Sequence, residues 1–223
     1  MDFQYDYFIR KAIDELHCKS NNVTQILLST HCVKYQNDKP IVVNVQYVEE
    51  VNHAVVSFEL EEVDFYLSLL VNDDDGEVIP YAASQYKISL LTSADKGIEE
   101  LLSMTVLVPD SWEDRDDSIG DDGEHEDGSA LYFEPNPGWG GFAEKMDKML
   151  TYLETDVEGV RRLVAEANAF LHVCNCYHVK YIQNEVMVLD KKTMSRLVAL
   201  GLSVNFENQA EGEYFDMGNG WMG

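Results

Sequence analysis

The chain has 223 residues, 45% of them apolar, with twelve Tyr and nine Phe, which is enough for a real core and excludes a purely unfolded acidic tail. Forty-one Asp and Glu against sixteen Lys and Arg give a formal charge of −25. That charge repels nucleic acid, anionic membranes and acidic proteins, and it attracts basic surfaces over roughly a Debye length, ~8 Å at physiological salt.

From the N-terminus, Tyr5, Phe8, Ile9, Ala12, Ile13 and Leu16 recur on one helical stripe, with Asp6, Arg10, Lys11, Asp14 and Glu15 off it. The spacing predicts a helix over 4–17, broken by Lys19-Ser20-Asn21-Asn22. Residues 23–33 carry an Asn cap and a mixed apolar run that suits either helix or strand. Strands are expected over 40–48 and 54–60, then over 65–71 and 77–81 around Asn72-Asp73-Asp74-Asp75-Gly76, where Asp-Gly is a hairpin signal. Two further strands, 86–91 and 104–108, flank a short helix at 95–102.

The acid is unevenly spread. Residues 104–140 hold eleven carboxylates against Arg115 alone, and ten of these lie between Asp110 and Asp127. Like charges this dense, interrupted by Ser118, Gly120 and Gly123, oppose compaction and are read as a mobile loop over 110–128. The ordinary reading of such a run is a solvated loop. The sharper one is a recognition surface for a basic partner. No EF-hand register fits: Gly76 at position six puts Val71 first, and Gly128 there puts Gly123 first.

Beyond that loop, Glu134-Pro135-Asn136-Pro137-Gly138-Trp139-Gly140-Gly141 is turn chemistry, without the Gly-Lys-Ser/Thr of a phosphate loop. Trp139 is read as pinning the turn to the core, with an exposed recognition aromatic as the alternative. A helix is expected over 142–153, and Thr155-Asp156-Val157-Glu158 reads as a capping box opening a second. Leu153, Val157, Val160, Val164, Ala167 and Leu171 keep heptad spacing, read as a core-facing stripe, with a homodimer seam as the alternative. A hairpin over 172–188 turning at Gln183-Asn184 follows. After it come a short helix over 191–200 stopped by Gly201, a last strand over 203–206, and a tail from 209 read as disordered.

The expected fold is therefore α+β: an N-terminal helix with a mainly antiparallel sheet over 1–109, the acidic loop 110–128, and a helical lobe with a β-hairpin over 129–223.

Chemistry-bearing motifs are sparse. The run His172-Val173-Cys174-Asn175-Cys176-Tyr177-His178 invites a zinc reading, but along a strand His172 and His178 lie ~20 Å apart, and C-x₂-C spacing is missing. Cys18, Cys32, Cys174 and Cys176 are read as buried free thiols, with metal ligation and disulfides as the alternatives. H-E-x-x-H, G-x-S-x-G and G-x-G-x-x-G are absent. No catalytic residue, metal or cofactor is assigned. The N-terminus lacks the pattern of a secretory signal and no run of 18 apolar residues occurs, so a cytoplasmic protein off the membrane is expected.

The expected function is non-enzymatic: an acidic protein occupying the basic, nucleic-acid-binding surface of a partner protein, as an inhibitor or antidote that mimics DNA, of the kind found in phage anti-defence and toxin immunity. It would not bind nucleic acid itself. The assigned contact residues are Asp73, Asp74, Asp75, Glu77, Asp110, Trp112, Glu113, Asp114, Asp116, Asp117, Asp121, Asp122, Glu124, Glu126, Asp127 and Trp139. Trp112, Tyr132 or Trp139 would serve as apolar anchors. The competing readings are an enzyme with an unrecognised site, and an adaptor module whose acidity serves only solubility.

Overall fold

A computed structural model describes residues 3–114, 128–180 and 187–211. The fold is α+β with a mainly antiparallel sheet, and the chain forms two compact units. Of the described residues, 3–85, 176–180 and 208–211 belong to one, and 86–114, 128–175 and 187–207 belong to the other. The 14-residue strand Val78–Leu91 carries the chain from one unit to the other, and the C-terminal segment returns to the first. Among the described residues, no helix is long and apolar enough to cross a membrane.

In the first unit, helix α1 (Phe3–Cys18) buries Phe8, Ala12 and Leu16 on the predicted stripe. Glu15, placed off that stripe by spacing, is also buried. Its carboxylate accepts hydrogen bonds from the Asn21 amide at 2.9 Å and from the Ser20 amide and hydroxyl, so it ties down the break that follows the helix. Residues 22–30 resolve the ambiguity as helix α2 (Asn22–Thr30), because Asn21 caps it by accepting from the Val23 amide at 2.9 Å. A two-residue ribbon, β1 (Tyr35–Gln36) with β2 (Lys39–Pro40), precedes the sheet.

Strands β3 (Val42–Val48), β4 (His53–Glu59), β5 (Phe65–Asn72) and β6 (Val78–Leu91) form an antiparallel meander. Val56, Phe58, Leu67, Leu69 and Val71 are fully buried and pack with Phe8, Leu16 and Leu27 in one core. The two strands expected over 77–81 and 86–91 are one. Ala82-Ala83-Ser84 has little strand preference of its own, but pairing with Phe65, Tyr66 and Leu67 holds it extended.

In the second unit, helix α3 (Ile98–Ser103), strands β7 (Ser111–Glu113) and β8 (Ala130–Phe133), and helices α4 (Phe142–Leu153), α5 (Val157–Glu166) and α6 (Lys191–Leu200) enclose a core of Leu90, Leu101, Leu131, Phe133, Leu150, Leu153, Val160 and Leu163. Residues 104–108 are not the expected strand. Thr105 donates its hydroxyl, and Val106 its amide, to the Asp156 carboxylate at 2.7 Å each, which bends the run away from any ladder.

Asp156, not Thr155, caps α5, accepting from the Gly159 amide at 3.0 Å. The heptad stripe faces the core: Leu153, Val160, Ala167 and Leu171 are buried, and α5 ends at Glu166, too short for a seam. Helix α6 follows prediction, capped by Asp190 and ended by Gly201 at φ 75°.

Strand β9 (Phe170–His178) was expected to pair within a hairpin over 172–188. Its neighbours in the sheet are instead β10 (Val204–Glu211) and β6, and just before β10 the Leu171 amide donates to Ser203 O at 2.9 Å. Residues 187–190 carry no strand, and Gln183 and Asn184 lie outside the described residues. Strand β10 runs well past the expected 203–206 and takes in Gln209–Glu211 from the supposed tail.

Candidate functional site

The β5–β6 turn carries Asp73, Asp74, Asp75 and Glu77, and its shape follows from its residues. The Asn72 side chain accepts the Asp74 amide at 2.8 Å and the Asp75 side chain accepts the Glu77 amide at 2.9 Å. These are Asx turns that leave the flanking carboxylates facing outward. Gly76 adopts φ 70°, where a side chain would be strained and would press on Tyr7 and Lys11. Asp74, Asp75 and Glu77 are exposed and Asp73 is half-buried.

In a meander, alternate turns share one end. The β3–β4 turn therefore lies beside the β5–β6 turn, and the Asp73 amide donates to Asn52 O at 3.1 Å. That brings exposed Glu49 and Glu50 to the same rim as Asp73, Asp74, Asp75 and Glu77. Tyr47 stitches the two tips by donating its hydroxyl toward Asn52 and, at 3.3 Å, toward Asp73. Its phenol is pushed up by burial and then by the charges of Asp73, Asp74 and Glu49, as expected where carboxylates concentrate. Glu49 and Glu50 were missed from sequence, although counting the strands of the meander would have placed them at that end.

Several carboxylates elsewhere are paired. Arg196 binds Asp147 and Glu154 at 2.6 Å, Lys148 binds Glu144 at 2.7 Å, Lys96 binds Glu100 and Glu166, and Lys34 binds Glu59 at 2.6 Å. Among the described residues, none of the six rim carboxylates has an ion-pair partner. The Lys11 ammonium lies beside Gly76 in the turn and also over the Tyr7 ring, 5.9 Å from its centroid.

The second unit holds the other described contact residues. Asp110, Trp112, Glu113 and Asp114 were expected in the mobile loop, but their segment is ordered. Strand β7 pairs with β8 (Ser111 with Tyr132, Trp112 with Leu131, Glu113 with Ala130), and the Glu134 amide donates to the Asp110 carboxylate at 2.6 Å. Buried Leu131 and Phe133 on β8 anchor that pairing, which charge density alone does not disclose. Trp112 is 57% exposed, whereas Trp139 is half-buried. Tyr132 is half-buried beside Glu113, and burial, then that carboxylate, raises its phenol. Asp116, Asp117, Asp121, Asp122, Glu124, Glu126 and Asp127 lie outside the described residues.

The cysteines divide: Cys174 and Cys176 are buried as expected, while Cys18 and Cys32 are exposed. His172 and His178 do not converge. His172 Nε2 meets Glu207 at 2.9 Å, and His178 packs edge-on against His31 and Phe65. No family model, curated protein or solved structure matches this chain.

Proposed function

We propose that this is a non-enzymatic acidic protein that occupies a basic surface on a partner, one that otherwise binds nucleic acid. The observation that carries the reading is the rim of Glu49, Glu50, Asp73, Asp74, Asp75 and Glu77, six carboxylates gathered on two joined hairpin tips and without an ion-pair partner among the described residues. Carboxylates that hold no cation of their own let a Lys- and Arg-lined surface meet them without first breaking ion pairs. A groove built for closely spaced phosphates supplies such a surface.

Trp112 supports the same reading in the second unit. A large exposed aromatic on an ordered strand, flanked by Asp110, Glu113 and Asp114, has the composition of an anchor inside a charged rim. The acids of 115–127 would extend that field. The partner class is a basic nucleic-acid-binding protein, met in the cytoplasm as inhibitor or antidote.

The test is competition. The protein, immobilised, is exposed to nuclease-treated lysate, and each basic protein retained is then challenged with duplex DNA. Displacement by DNA, with retention falling steeply between roughly 50 and 200 mM salt, supports the proposal. Retained proteins that DNA does not displace would instead favour the adaptor reading.

A further inference from the structure

The zinc reading of the His172–His178 run fails, yet one of its cysteines meets donors that sequence could not pair with it. Cys176 lies on β9 and is fully buried. Asp64, just before β5, and Glu211, at the end of β10, come from segments over a hundred residues apart, and both are half-buried. One donor atom from each of the three, the Cys176 Sγ and an oxygen of each carboxylate, lies within 4.8 Å of the others. We propose that Asp64, Cys176 and Glu211 form a binding site for a borderline-soft divalent cation of the zinc type, with the Gln209 side-chain oxygen as fourth donor.

Three observations build the site. The Asp64 amide donates to the Glu211 carboxylate at 2.8 Å, which fixes the two acids side by side. The Val179 amide donates to the Glu211 carbonyl at 3.0 Å, so the ladder between β9 and β10 sets Glu211 opposite the cysteine strand. The Gln209 oxygen lies 3.8 Å from Cys176 Sγ while its amide nitrogen donates to Glu211 at 3.2 Å, orienting the oxygen toward the thiol.

Zinc binds sulfur at ~2.3 Å and carboxylate oxygen at ~2.0–2.2 Å, which sets tetrahedral donor spacings of about 3.5 Å. Contraction of about 1 Å from the widest observed spacing completes the site, within reach of side-chain rotation. A divalent cation there would offset the repulsion of two carboxylates sharing one site. A thiolate donor selects zinc-type ions over magnesium and calcium, which prefer oxygen alone. On binding, the Cys176 S–H bond breaks, a metal–sulfur bond forms, and one proton leaves to solvent. This site lies away from the acidic rim, and the proposal stands or falls independently of the partner-binding reading.

The test uses the full chain with Cys18→Ser and Cys32→Ser, which removes the exposed thiols. Cobalt(II) titration of metal-free protein should give one equivalent bound with a near-ultraviolet thiolate-to-cobalt charge-transfer band, and zinc should displace it. Cys176→Ser should abolish the band. Glu211→Gln, at a strand end where the fold is least at risk, should keep the band and weaken binding by at least the ~10–100-fold lost when a mere outer-shell partner is removed. Absence of the band, a band that survives Cys176→Ser, or unchanged affinity in Glu211→Gln would each overturn the assignment.

Discussion

Lys145 offers the sharpest test of the packing in the second unit. It sits in the first turn of α4, only 1% exposed, and its ammonium donates to the Tyr86 carbonyl at 2.6 Å and to Pro137 O at 3.4 Å. Burial pushes its pKa down to about 8, a shift that the Glu134 carboxylate partly counters. A helix N-terminus is also the wrong end for a cation.

Against an unfolded value of ~10.4, the shift corresponds to roughly 3 kcal/mol held against the charged form at neutral pH. Between the two pKa values the unfolded chain holds more protons than the native one, so this group makes stability rise with pH through that window. From neutrality to about pH 9.5 the gain is about 2 kcal/mol.

Lys145→Met removes that pH-dependent term. It also leaves the Tyr86 carbonyl without this donor, at ~1–3 kcal/mol, so at pH 7 the two effects nearly cancel. Urea denaturation of both proteins at the two pH values isolates the lysine, because titration of cysteines and tyrosines is common to both and drops out of the difference. The wild type should gain about 2 kcal/mol relative to Lys145→Met on going to high pH. A difference near zero, or of opposite sign, would refute the burial of a charged Lys145.

Gly159→Ala should destabilise, although Gly to Ala inside a helix ordinarily adds ~1 kcal/mol. The added Cβ overlaps the Asp156 carboxylate and expels the cap. The expected loss is about 1–2 kcal/mol by urea midpoint, and a gain would contradict the capping geometry. Glu15→Gln should cost about 1–3 kcal/mol at neutral pH and flatten the acid limb of stability. Burial opposes ionisation of Glu15, but hydrogen bonds from Ser20 and Asn21 outweigh it and hold the carboxyl below its ordinary value. Its contribution is therefore present above the unfolded pKa and lost as pH falls through the folded one. An acid limb unchanged in the variant would contradict this.

Local signals read well where local chemistry decides. The α1 stripe, the Asn21 cap, the Asn72–Gly76 turn, the break between α4 and α5, and α6 with its Gly201 stop are all written within a few residues. Sequence reasoning failed where a distant partner chose the conformation. Thr105-Val106-Leu107 looks like strand until Asp156, some fifty residues on, takes its donors. Strand β9 has a plausible neighbour in 187–188, yet pairs with β10. Ser111-Trp112-Glu113 looks like acidic loop until Leu131 and Phe133 anchor its ladder. The acidic rim was half legible: Asp73–Glu77 stood out as a charge run, while Glu49 and Glu50 join it only once β3 to β6 are known to be a meander. Clustering of Cys176, Asp64 and Glu211 had no local signal.

The central claim, that the unpaired rim acts in recognition, is met most directly by the association rate. The variant Glu49→Lys, Glu50→Lys, Asp74→Lys, Glu77→Lys leaves Asp73 to hold Tyr47 and Asp75 to hold the turn, and reverses four exposed charges. Rim charges act chiefly on encounter, so binding to the retained partner at low salt should slow by roughly 10-fold or more while circular dichroism and thermal midpoint stay near the parent's. At high salt the two rates should converge. A variant that associates as fast as the parent at low salt would show that the rim's charge serves solubility and not recognition.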